Sequence, residues 1–218
     1  FLAGLAFGSM SKSLRDAAQT NELIARMLAA QGNDGIYTTM SQFLAAVAAA
    51  YVTTAVLRVY SDEQAGLGES VLAGAVSRWS WLVGAVVTAV LGAAVSMFFA
   101  GLGNGLGAGL TMGEPQTVVR LTLAGLGYVP ALAVMAAVAA LAVALRRPWI
   151  AWLAVTFVIT ALYLGALLRL PQWLIDLSPV GQTTVPTDVP VGALVVMVAV
   201  AALITLLAGL VYRRRDAA

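Results

Sequence analysis

The chain has 218 residues, of which 61% are hydrophobic and 10% charged, and its mean hydropathy is +0.93. Soluble domains carry about 25% charged residues, so this chain cannot cover itself with polar surface and belongs in a bilayer. A net charge of +2 gives no basis for nucleic-acid binding. The absence of Cys and His excludes disulfides, thiolate or imidazole metal sites and His-assisted nucleophilic catalysis.

In chain order, residues 1–10 are apolar but too short to span, since about 20 residues are needed. They read as the end of a span that begins upstream, and the chain as the C-terminal part of a longer polypeptide. Residues 11–35 turn polar and read as one or two short amphipathic helices at the membrane surface, closed by the turn signal Gln31-Gly-Asn-Asp-Gly35. The first complete span is predicted at 36–57. A charged island, 58–78, follows. It holds Arg58, Asp62, Glu63, Glu69 and Arg78. On a helical wheel Leu67, Val71, Leu72, Ala75 and Val76 fall on one half, and Asp62, Glu63, Glu69, Ser70, Ala73 and Ser77 on the other. The pattern is a short amphipathic helix, more than a simple joint between spans requires.

The second span is predicted at 79–101, opened by Trp79 and Trp81 at headgroup level. Alternate glycines from Gly101 to Gly109 then predict that helix does not persist, giving a loop over 102–116. The run lacks the Gly-Lys-Ser/Thr ending of a phosphate-binding loop. The third span is predicted at 117–145, kinked at Pro130, and the fourth at 149–168 after the sharp turn Arg146-Arg147-Pro148. Leu170, Trp173, Leu174 and Leu177 predict a short interfacial helix, followed by an extended Pro-rich turn. The last span is predicted at 191–212, closed by Arg213-Arg-Arg215-Asp216. The expected fold is therefore all-α: a polytopic bundle of five complete spans plus the end of a preceding one.

Five alternating spans place Arg58, Arg78, Arg146, Arg147 and Arg213 to Arg215 on one side in short, dense clusters, which is the cytoplasmic signature. The island and the C-terminus are then cytoplasmic, and segments 11–35, 102–116 and 169–190 external.

The island resembles the cytoplasmic coupling segment of type-2 ABC exporter permeases, particularly the actinobacterial polyketide-antibiotic (tetronasin-type) group. The matching positions are Asp62, Glu63, Gly66, Glu69, Leu72, Ala73, Val76, Ser77 and Arg78. Leu67 and Ala75 depart from the pattern, standing where that family often has Arg and Pro. The closing order of Pro-rich segment, last span and basic tail is also similar. The resemblance implies the second half of a fused permease in a bacterial cell membrane. It further implies export of hydrophobic or amphipathic compounds such as drugs or antibiotics. A separate ABC ATPase dimer, carrying ATP and Mg, would dock on the island, and the N-terminal half of the permease would be a further partner. The chain itself is expected to be no enzyme, with no catalytic residue and no cofactor of its own.

No Asp or Glu falls inside the predicted spans, which argues against an ion-coupled secondary transporter. A non-transporting anchor or assembly subunit is the other alternative. Thr88, Ser96, Thr156, Thr160 and Tyr163 are candidates for a substrate cavity. Bonding to backbone carbonyls or neighbouring helices is the competing role for such hydroxyls.

Overall fold

The computed structural model describes residues 1–21, 35–66, 77–112, 115–165, 168, 170–175, 177–183 and 191–213. Among them the chain is helical, without strands: α1 (Leu2–Thr20), α2 (Gly35–Gln64), α3 (Arg78–Met112), α4 (Gln116–Gly127), α5 (Val129–Ala144), α6 (Trp149–Ile159), a π-helical turn (Thr160–Leu164), the four-residue α7 (Gln172–Ile175) and α8 (Val191–Arg213). Among the described residues, four stretches are long and apolar enough to cross a membrane: Tyr37–Gln64, Arg78–Thr111, Gln116–Ala144 and Val191–Arg213. The predicted fourth span corresponds to the shorter apolar helix Trp149–Leu164. Backbone hydrogen bonding continues beyond it, from the Leu168 N–H to the Leu164 carbonyl (2.8 Å) and from the Leu170 N–H to the Gly165 carbonyl (2.9 Å).

The helices build two compact units. One comprises Phe1–Ala45, Ala94–Val129 and Thr183–Val191. Here the glycine run corrects the sequence expectation. Instead of opening a loop at 102, α3 continues to Met112, a helix of 35 residues and about 52 Å. Glycines two apart lie on nearly opposite sides of a helix, and glycines four apart on the same side. The run therefore makes two smooth faces. A Cβ on Gly103 or Gly107 would strike the backbone of α1 at Phe1 or Leu5, and one on Gly4 or Gly8 would strike α3 in return. On the other face, a Cβ at Gly101 would lie 2.6 Å from the Leu121 carbonyl oxygen of α4, and one at Gly105 2.7 Å from that of Val118. Close backbone approach through small residues is how helices associate where no hydrophobic driving force acts between them. It overrides the poor intrinsic helix propensity of glycine. Tyr37, Ala108 and Leu121 form a buried cluster in this unit, and Phe7 meets Phe43 edge-to-face at 5.6 Å between ring centroids. Residues 11–20, expected to form separate surface helices, continue α1 without a break.

The second unit comprises Ala46–Ala93, Pro130–Gln182 and Gly192–Ala218. Most of α5 is buried within it, including Leu132, Val143 and a run of alanines. The α4–α5 break falls at Tyr128, whose N–H reaches back to the Gly125 carbonyl (3.2 Å) in a tightened turn. Pro130 supplies no N–H of its own, which accounts for the interruption. The predicted turn at 146–148 is a Schellman cap: the Arg147 N–H bonds the Ala142 carbonyl and the Arg146 N–H that of Val143, with Arg146 at φ 57°. Along α8, large apolar side chains such as Val195, Leu203, Leu206 and Leu210 are exposed, the composition of a surface made for acyl chains or other membrane helices.

Candidate functional site

The charged island is where the fold gathers its polar groups. The first seven of its residues do not start a new helix. Arg58 to Gln64 are the last two turns of α2, so Asp62 and Glu63 ride on the end of a 30-residue helix. The helix then stops at Gly66, which takes φ 73° and donates its N–H to the Glu63 carbonyl (3.1 Å). A side chain would strain that left-handed conformation, which explains a glycine there. The amphipathic helix expected between, with Glu69, Leu72, Ala73 and Val76, lies outside the described residues. At the far end Ser77 caps α3. Its hydroxyl accepts the Ser80 N–H (3.1 Å), and the Ser80 hydroxyl donates to the Ser77 carbonyl (2.8 Å). Arg78 is the first residue of that helix.

The end of α2 and the start of α3, which flank the island's middle on either side, both meet a single turn of α8. The Tyr212 hydroxyl, on a fully buried side chain, donates a hydrogen bond to the Glu63 carboxylate. Three residues earlier, Gly209 receives the Trp79 ring so closely that a Cβ there would overlap it. Gly209 and Tyr212 are i and i+3, so they share a face of α8. Glu63 from the end of α2 and Trp79 from the start of α3 are thus clasped to the last turns of the last span. Two of the predicted coupling positions, Glu63 and Arg78, frame this clasp directly or as the neighbour of Trp79.

Above the clasp lies a groove of about 790 Å³ between α2 and the first half of α3. Its α2 wall is Tyr51, Thr54, Ala55 and Arg58, and its α3 wall includes Ser80, Trp81, Gly84 and Thr88. Of the five hydroxyl candidates, Thr88 lines this groove. Ser96 is exposed further along α3, Thr156 is exposed on α6, and Thr160 and Tyr163 belong to the π-helical turn. Tyr51, Arg58 and Trp81 were not among the five. The spacing of Tyr51, Thr54 and Arg58 at i, i+3 and i+7 on an otherwise Ala- and Val-rich helix was the available signal.

The sequence over residues 1–213 matches the family model described as the C-terminal domain of the multidrug efflux system permease Rv1217c. The chain belongs to this family. It is 30% identical over 230 residues to the multidrug efflux system permease protein Rv1217c of Mycobacterium tuberculosis, an alignment covering 99% of this chain and 41% of that protein. The chain thus spans about two-fifths of the length of that relative. Family membership and the four span-competent helices among the described residues make it a membrane protein with several spans.

Proposed function

We propose that this chain is the C-terminal transmembrane half of a type-2 ABC exporter permease of the tetronasin-type group, moving hydrophobic or amphipathic compounds such as drugs or antibiotics out of a bacterial cell. The observation that carries the reading is the clasp of segment 58–78 onto α8 through Glu63–Tyr212 and Trp79–Gly209. An element that transmits force needs ends fixed to what it moves. Here both ends meet the same turn of one helix, so displacement of the segment is passed to α8 and to the start of α3. A cytoplasmic ATPase dimer, carrying ATP and Mg, would dock on the charged face around Glu69 and Arg78. Closure of that dimer would shift the helices between two packings. The relative's efflux role supports export as the direction.

The test is purification of the full-length polypeptide from its native membrane in mild detergent, with ATP hydrolysis assayed on the eluate. A nucleotide-hydrolysing subunit is expected to co-purify, and to be lost when Glu69 and Arg78 are charge-reversed in protein that still elutes as a single species. A clean eluate with no ATPase, from membranes whose other complexes survive the same treatment, would favour an anchoring subunit instead.

A further inference from the structure

The groove between α2 and α3 has a charge character that the permease reading does not by itself require. Arg58 lines it, and Arg58 also lines a second cavity of about 330 Å³ on its other side, with Tyr60, Ser61 and Trp152. Among the described residues that line them, neither cavity has an Asp or Glu. Arg58 has no hydrogen bond or ion pair among the described residues, although Asp62 lies one turn further along the same helix. Its guanidinium carries five N–H donors and accepts nothing. The neutral hydroxyls beside it are already committed. Thr54 donates to the Ala50 carbonyl (2.8 Å) and Ser80 to that of Ser77 (2.8 Å). What the groove offers a ligand at this end is a cation.

The other end is different. Tyr51 sits two turns before Arg58, about 10 Å away along the helix axis. Its phenol lies over Gly92 of α3, where a Cβ would meet the hydroxyl. Between them the walls are Ala55, Gly84, Ala85, Ala89 and the Trp81 indole. A volume of about 790 Å³ is within the range of drug-sized sites. We propose that this groove binds amphipathic organic anions, the acidic group paired with Arg58 and the ring or chain system laid between Trp81 and Tyr51. The inference rests on the export reading and narrows its substrate class: a carboxylate or sulfonate at one end and roughly 10 Å of apolar body behind it. An uncharged compound would leave the guanidinium unpaired, and a cationic one would be repelled by it.

The test uses the full-length polypeptide in phosphatidylcholine nanodiscs and two probes that share one ring system: anilinonaphthalene sulfonate and uncharged phenylnaphthylamine. Binding is measured by equilibrium titration over empty discs. The sulfonate is expected to bind at least about tenfold more tightly than the neutral parent. R58Q should abolish that preference while leaving the parent's affinity unchanged, and R58K should retain most of it. T88W, which fills the groove away from the cation, should weaken both probes. Equal affinities in the wild type, no saturable binding of either probe, or a preference that survives R58Q would overturn the proposal. A second arm adds phosphatidylglycerol to the discs. Unchanged sulfonate affinity supports a compound site, and a loss of about tenfold or more would assign the cation to lipid headgroups instead. ATP-driven uptake of either probe into inside-out vesicles separates the two readings. If it persists while the anion preference is absent, only the groove assignment fails. If it is absent as well, the export reading fails too.

Discussion

The two halves of α3 do opposite things with the same small residues. At Gly101, Gly103, Gly105 and Gly107 the backbones of α1 and α4 stand where a side chain would go, and a Cβ there would meet a carbonyl oxygen. Near its start, Gly84 has nothing within 4 Å of where a Cβ would stand, and it opens onto the groove. One half is a packing surface with no space to lose. The other is a wall from which side chains have been trimmed. A glycine in a membrane helix is therefore read from what faces it, and propensity alone misassigns both kinds.

The sharpest way to break this comparison is to add bulk on the packed side. G107L should drive a side chain into Leu5 and Ser9 of α1, where only backbone stands, and neither helix can move aside without disturbing the α4 contacts. Overpacking of this kind costs about 3 kcal/mol or more. Size-exclusion chromatography of detergent extracts should show loss of the single folded species. A monodisperse, normally melting G107L protein would mean the faces are not in contact.

A smaller effect is expected at the clasp. Y212F removes the donor to Glu63 and leaves a half-buried carboxylate short of one partner, for a loss of about 1.5 kcal/mol in thermal unfolding. S77A should cost about 1 kcal/mol, because the Ser80 N–H loses its acceptor at the start of α3. Restoration of the melting temperature in S77D, whose carboxylate caps equally well, would confirm that the loss is the cap's. At the open end of the comparison, G84A should be neutral to stabilising by about 0.5 to 1 kcal/mol, since alanine favours helix and meets no neighbour. A melting temperature lowered by G84A would show that the groove is closed over by another helix.

The membrane character, the last span and the turn at 146–148 were legible from hydropathy, Arg clusters and punctuation. Val191–Arg213 against a predicted 191–212 shows how far a clean apolar run with a basic stop can be read. The glycine run was misread because local propensity was weighed without the i, i+4 pairing of Gly4 with Gly8, of Gly103 with Gly107 and of Gly101 with Gly105. That pairing was visible and names two helix faces. The first residues of the island were expected in a helix of their own, yet they extend α2. No Gly or Pro intervenes between 36 and 65, so nothing stops the helix before Gly66. The clasp could not have been read at all. Glu63 and Tyr212 are 149 residues apart, and neither carries a local pattern that points to the other. Asn104 is likewise silent in the sequence. It is 1% exposed on the glycine-rich half of α3, and its amide finds no hydrogen-bond partner among the described residues.

The central claim is that segment 58–78 moves α8 through its clasped ends. It is tested most directly by measuring compound exported per ATP hydrolysed, with the full-length polypeptide and the proposed ATPase partner reconstituted together, in wild type, Y212F and W79A. The account predicts that ATP hydrolysis continues at near its normal rate while export per ATP falls, about tenfold for each 1.4 kcal/mol of coupling lost. Export and hydrolysis that stay in their wild-type ratio in both variants would contradict it.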